Sequence, residues 1–266
     1  MINKILIILF LLNNLTSSSQ EWFENLYHVT TDKSIKDNYK DIWLGRTFQG
    51  IIGRKFQRIE VRFLTIQKSS KNPYLYQVTG KSKVNKNICD FKGEFTIEKI
   101  QTLKDSTAYG DAAEISKGML WGKYDLKENP SQNHVGTFTG EFYVKFDMSK
   151  DGKASAFSDL YYDDENLIFQ GNWKDYNSNQ PKLCNWGWNI PPEQHSELFS
   201  RYENGYYLIN PAYFERGWKS YALAKSWIII PTDYYTNEAR FDKDFHEYEK
   251  VSIQQSKEKE ANEWWK

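Results

Sequence analysis

Four histidines, two cysteines and a scatter of carboxylates are the residues of this chain whose types could do chemistry. His28, His134, His195 and His246 are spread so widely that no two have metal-ligand spacing. Asp159, Asp163, Asp164 and Glu165 form the densest carboxylate group. A glycosidase-like acid and base or a calcium loop would draw on such residues, but the regular spacing of a calcium loop is missing, and a solvated turn is the better reading. No nucleophile elbow, phosphate-cradling glycine loop or His-Glu-x-x-His pair occurs. The chain therefore reads as non-catalytic, with no cofactor and no metal site.

Cys89 and Cys184 are too isolated for a metal motif, and no histidine lies near Cys89 in sequence. In an oxidising compartment they predict one disulfide, which would stabilise by roughly 4 to 5 kcal/mol in the chain-entropy account. The competing reading is two buried thiols that never meet. The aromatic residues are the other candidate for function, since Phe, Trp and Tyr make up 17% of the chain. Trp173, Trp186 and Trp188, with Tyr124, Phe142 and Phe169, form the candidate ligand-binding set. They would suit an apolar ligand or sugar rings stacking on indoles if they line an opening. If they plug the interior instead, they are core.

The elements that must position these side chains are legible from a repeated phrase. "DFKGEF" at Asp90 to Phe95 returns as "TFTGEF" at Thr137 to Phe142. Alternation places Phe91, Gly93 and Phe95 on one face, with Glu94 on the other, and Phe138, Gly140 and Phe142 opposite Glu141 in the second copy. Leu120-Gly122-Tyr124, Phe169-Gly171-Trp173, Phe48-Gly50-Ile52 and, more weakly, Val78-Gly80-Ser82 extend the pattern to six strands. An interior glycine weakens a strand, so its recurrence at one level needs a reason. Glycine permits the coiling that closes a sheet, and it lets a neighbouring ring lie over bare backbone. Hairpin spacing predicts Gly80 opposite Gly93, Val84 opposite Cys89, and Gly122 opposite Gly140.

Strands are expected near 42–52, 56–67, 74–84, 89–100, 113–127, 135–147, 156–163, 166–174 and 182–188. This meander predicts a mainly β fold, an up-and-down antiparallel β-barrel or alternatively a β-sandwich, over residues 42–190. Residues 191–266 are expected to form a helical extension packed on the barrel. Asn210 and Pro211 supply a cap and first turn for "PAYFERGWKSYALA", whose Tyr213, Trp218 and Tyr221 form a stripe. "SWIII" reads as a short strand, and "NEARFDKDFHEYEKV" as an amphipathic helix with Phe241, Phe245 and Tyr248 at helical spacing. The tail ending in Trp264 and Trp265 reads as a frayed helix.

Lys4 followed by the apolar run Ile5 to Leu12 and small polar residues predicts a signal peptide over 1–19, cleaved near Ser19. Residues 20–41 are a polar lead-in with room for a short helix. No later segment is apolar enough for a membrane helix, and no Cys follows the run to carry a lipid anchor. The expected location is secreted or periplasmic. Thirty-five basic and thirty-five acidic residues cancel without a basic face, which removes nucleic acid from the expected partners.

The Gly-x-aromatic strands, the export signal and the meander together resemble the calycin barrels, the lipocalins and avidin-like proteins. That resemblance implies a small ligand in the barrel mouth. The chain departs from the lipocalin pattern in carrying Gly171-Asn172-Trp173 on a late strand, where the first strand would be expected to hold Gly-x-Trp. "FQGNWKDYNSNQPKLCNWGWNIP" is similar to a phrase of uncharacterised small secreted bacterial β-proteins, with which no activity travels. Two functions remain open: a secreted or periplasmic barrel binding a small apolar or glycan ligand, and a secreted interaction module, an inhibitor or envelope-associated protein, with a filled barrel and a protein partner.

Overall fold

The computed structural model describes residues 27–30, 38–103, 115–149, 153–156, 167–188, 197–201, 207–225 and 252–266. The expected signal sequence, the carboxylate group at 159–165, His195, His246, the strand expected at "SWIII" and the helix expected to bear Phe241, Phe245 and Tyr248 lie outside these residues. Most of the strand expected at 156–163 does too.

Among the described residues, twelve strands alternate with few helical turns. They are β1 Tyr27–Thr30, β2 Thr47–Ile52, β3 Gln57–Lys68, β4 Leu75–Val84, β5 Asn87–Leu103, β6 Ile115–Glu128, β7 Gly136–Ser149, β8 Ala154–Ala156, β9 Leu167–Asp175, β10 Lys182–Gly187, β11 Phe199–Arg201 and β12 Tyr207–Ile209. Helices α1 Lys40–Trp43, α2 Lys219–Lys225 and α3 Gln254–Glu260 are short, and a 3₁₀ helix spans Pro211–Arg216. Strands β2 to β7, β9 and β10 pair antiparallel in chain order, and β10 returns to β2. The result is a closed eight-stranded up-and-down barrel, the expected fold class. β11 and β12 form a separate pair.

The period-2 alternation seats Phe91, Phe95, Phe138, Phe142 and Phe169 inside, while Glu94 and Glu141 are exposed. Register departs from the expectation by two residues in both hairpins. Gly80 pairs with Phe91, Val78 with Gly93 and Ser82 with Cys89, because the β4–β5 turn is only Asn85 and Lys86, with Asn85 at φ 55. Gly122 likewise pairs with Phe142, and Tyr124 with Gly140. A glycine thus meets a ring where another glycine was expected. A Cβ on Gly122 would collide with the Phe142 ring and with the Thr96 carbonyl of the adjoining strand. Ring over bare backbone is therefore the packing that this glycine permits.

A bulge between Phe63 and Thr65 in β3 shifts the phase, so Ile66 joins the core and Thr65 faces water. The strand expected from 42 begins only at Thr47. Ile42 and Trp43 belong instead to α1, which closes one end of the barrel. Trp43 is fully buried and meets Tyr76, Phe95 and Phe142 edge-on at 5.2–5.8 Å between centroids. In the lead-in, β1 adds to β5 beyond the point where β4 stops pairing, in place of a helix there.

The C-terminal residues pack on the outside of the barrel. Asn210 Oδ1 accepts from the Ala212 amide at 3.0 Å, Pro211 opens the 3₁₀ helix, and Gly217 at φ 93 ends it before α2 begins. Ile51, on the outer face of β2, is covered by Leu198, Ile209, Trp218, Tyr221 and Ala222. Arg58, Glu60 and Arg62, on the outward face of the first half of β3, are covered as well. Arg58 makes a two-pronged ion pair with Glu260 at 2.9 and 2.6 Å, and Trp264 Nε1 donates to Glu60 at 3.1 Å. Arg62 lies over the Trp265 ring at 4.1 Å. The tail, expected to fray, is a docked strap.

Candidate functional site

One end of the barrel is closed by Trp43, and its middle is filled. Phe169 stacks on Trp186 at 5.4 Å and 20°, and Phe95, Phe142 and Tyr124 close around the pair at 5.1–5.7 Å. Tyr124, Phe142, Phe169 and Trp186 are each no more than 3% exposed. Burial raises the Tyr124 hydroxyl well above its ordinary pKa. Trp188 sits at the α1 side under Arg46, whose guanidinium is 4.0 Å from the indole centroid. None of these five aromatics borders the cavity at the opposite end, whereas Trp173 does.

That opposite end is where the β2–β3, β4–β5, β6–β7 and β9–β10 turns lie. It holds a cavity of about 400 Å³. Ile52, Ile59, Val84, Phe138 and Trp173 form its apolar wall, and Ser82, Glu128, His134 and Lys182 are among its polar groups. The volume is within the range of small-molecule sites, roughly 300 to 1,000 Å³. A larger groove of about 1010 Å³ adjoins it, sharing Glu128 and His134 and bordered by Asp90, Gln132, Asp175 and Tyr176. The β6–β7 loop that shapes this groove is tied down. The Asn129 amide donates to the Asp90 carbonyl at 2.8 Å, the Asp90 amide to Gln132 Oε1 at 2.8 Å, and the Tyr176 hydroxyl to the Glu128 carbonyl at 2.6 Å.

Glu128 is the centre of this end. Its carboxylate accepts from the Ser82 hydroxyl, from Trp173 Nε1 at 2.9 Å and from the Gly136 amide at 2.8 Å, so β4, β7 and β9 converge on the last residue of β6. Burial raises its pKa, opposed by those three hydrogen bonds. Sequence reasoning missed this residue. The signal was present, since the inward series Leu120, Gly122, Tyr124, Leu126 ends on Glu128.

The expected disulfide is absent: Cys89 and Cys184 are buried free thiols. Cys89 is on β5 and Cys184 on β10, four places apart in the strand order whichever way the barrel is followed. They occupy opposite walls, while a disulfide requires Cα atoms within about 7 Å. Burial, followed by the charge of Glu128, pushes the Cys89 thiol up to about 11 and raises Cys184 well above the ordinary range. Both are thus held as neutral thiols near pH 7, the opposite of an activated nucleophile. Among the described residues no group of three or more His, Cys, Asp or Glu could hold a metal. No helix among them is long and apolar enough to cross a membrane.

Fold and site together define a closed up-and-down β-barrel, plugged at one end, aromatic-filled at its centre and hollowed at the other end around a buried carboxylate. Compared with protein families, curated proteins and solved structures, the chain matches none.

Proposed function

We propose that this protein is an exported, non-catalytic β-barrel that binds a small ligand at its hollow end. The observation that carries the reading is the end cavity of about 400 Å³, with an apolar wall and a few convergent polar groups. Export is supported by the charged, apolar and small-residue layout of residues 1–19. An apolar ligand would lie against Ile59, Val84 and Phe138, and a glycan ring would lie against Trp173 once Lys182 moves off it. The Lys182 ammonium now rests 4.9 Å from that indole's centroid, and its side chain is exposed and free to swing. Resemblance to calycin barrels agrees with a site at a barrel mouth.

The filled centre favours a second reading, a secreted interaction module such as an inhibitor or envelope-associated protein, which contacts a partner through its surface. Native mass spectrometry of the gently purified chain, followed by calorimetric titration with fatty acids and oligosaccharides, separates the two. A co-purifying small mass, or binding that is weakened by Trp173→Leu, supports the ligand reading. A chain that is always empty and gives no heat with any of these probes sinks it in favour of the interaction module.

A further inference from the structure

The end cavity has a buried carboxylate in its wall, and among the described residues no cation is paired with it. Glu128 is 4% exposed and borders both the end cavity and the outer groove. Its hydrogen-bond donors, the Ser82 hydroxyl, the Trp173 indole and the Gly136 amide, are all uncharged. Lys182 stands nearby, yet its ammonium is over the Trp173 ring, and Lys86, which also borders the cavity, makes no ion pair with Glu128 among the described residues. A carboxylate held away from water without a counter-charge is costly, and cavities are where such groups serve function.

A purely structural tie would not need the charge. A glutamine could accept from Trp173 and Gly136 with its oxygen and donate to the Ser82 hydroxyl with its amide. What Glu128 adds to that tie is negative charge beside a cavity whose other wall is Ile52, Ile59, Val84 and Phe138. Oε2 already takes two donors, while Oε1 takes Ser82 and retains acceptor capacity. We propose that the ligand of the end cavity is a small apolar amine, its ammonium paired with Glu128 Oε1 and its hydrocarbon body against the Ile59, Val84 and Phe138 wall. The inference rests on the reading of the end cavity as a ligand site. The position of Lys182 shows that an ammonium is sterically and electrostatically at home beside this indole. Burial raises the Glu128 carboxyl, and an arriving cation reverses that penalty by pairing with the charged form.

Calorimetric titration of the full chain with phenethylamine and with its neutral counterpart 2-phenylethanol tests this, repeated on Glu128→Gln. A charge-assisted pair predicts that the wild-type chain binds the amine at least about tenfold tighter than the alcohol, and that Glu128→Gln removes this preference. If the alcohol binds the wild-type chain as tightly as the amine, or Glu128→Gln keeps the preference, the amine assignment is overturned while the end cavity stands as a ligand site. If neither compound binds the wild-type chain, the amine assignment is overturned, and the end cavity as a ligand site is decided by the fatty-acid and oligosaccharide titrations. The amine-to-alcohol ratio in the wild-type chain decides the question even if the variant does not fold.

Discussion

Replacing Glu260 by glutamine should release the C-terminal strap without unfolding the barrel. Arg58 is 6% exposed, and besides the two bonds to Glu260 it holds a Gln49 side-chain oxygen at 2.9 Å, the Gly217 carbonyl at 3.2 Å, a longer approach to Glu60 at 3.6 Å and the Tyr221 ring at 4.7 Å, with no second ion pair as close as the one to Glu260 among the described residues. Breaking one partner of a buried pair costs about 3 to 5 kcal/mol, because the other charge is left without compensation. The chain has a cheaper route. Undocking α3 lets water reach Arg58, at the expense of the Trp264–Glu60 hydrogen bond, the Ser220 hydrogen bond to residue 260 and the Arg62–Trp265 contact, each worth about 1 kcal/mol.

Protection of the α3 amides against hydrogen exchange should therefore fall about a hundredfold, the equivalent of about 3 kcal/mol, while β5 to β7 stay protected. Arg58→Met combined with Glu260→Met should retain most of the protection, since a buried pair replaced by apolar side chains is often neutral. Burial opposes charge on both partners, but the paired hydrogen bonds prevail, lowering the Glu260 carboxyl and raising Arg58. The Glu260 contribution is thus fully present above the unfolded carboxylate pKa and is lost as pH falls through the lower native value. Strap protection, corrected for intrinsic exchange, should drop in acid for the wild-type chain and not for Glu260→Gln. An exchange profile for Glu260→Gln within threefold of wild type would refute this account.

Trp43→Ala should destabilise by about 3 to 5 kcal/mol in urea titration, because the plug fills the barrel end against Tyr76, Phe95 and Phe142; a loss under 1 kcal/mol would mean that α1 is not the closure. Gly122→Val should cost at least about 1 to 3 kcal/mol, since its Cβ meets the Thr96 carbonyl, which is backbone and cannot step aside, and unchanged stability would contradict the ring-over-glycine packing. Alkylation of the denatured chain without reductant should add two groups by mass, one on Cys89 and one on Cys184; uptake that needs prior reduction would restore the disulfide. In the folded chain, alkylation of Cys89 should stay slow at neutral pH and accelerate only as pH approaches about 11.

Period-2 alternation follows from the pleat of a single strand, so the inward faces of β5, β7 and β9 could be read from neighbouring residues, and a run of such strands joined by short turns implied a barrel or, alternatively, a sandwich. The recurrent glycines were likewise readable as a statement about curvature. Glu128 was within reach of the same rule, yet its importance was not, because the three donors that surround it come from β4, the start of β7, and β9. Register required the true length of each turn: two residues at Asn85 and Lys86 moved every partner between β4 and β5 and set Phe91, not Gly93, opposite Gly80.

What the sequence by itself determined was therefore local and repetitive: which side chains point inward, where glycine is tolerated, and that the strands form an antiparallel meander, as a barrel or a sandwich. Tertiary structure alone decided whether the inward aromatics enclose a space or fill it, since that depends on how rings three strands apart, Phe63 and Phe95 against Phe169 and Tyr124 against Trp186, meet at 5.1–5.7 Å across the closed barrel. It also decided that Cys89 and Cys184 stand on opposite walls, and that Arg58 finds Glu260 from 202 residues away. The physical reason is that alternation is imposed within a strand by covalent geometry, whereas closure, plugging and strap docking are set by contacts between segments whose separation in sequence carries no information about their distance in space.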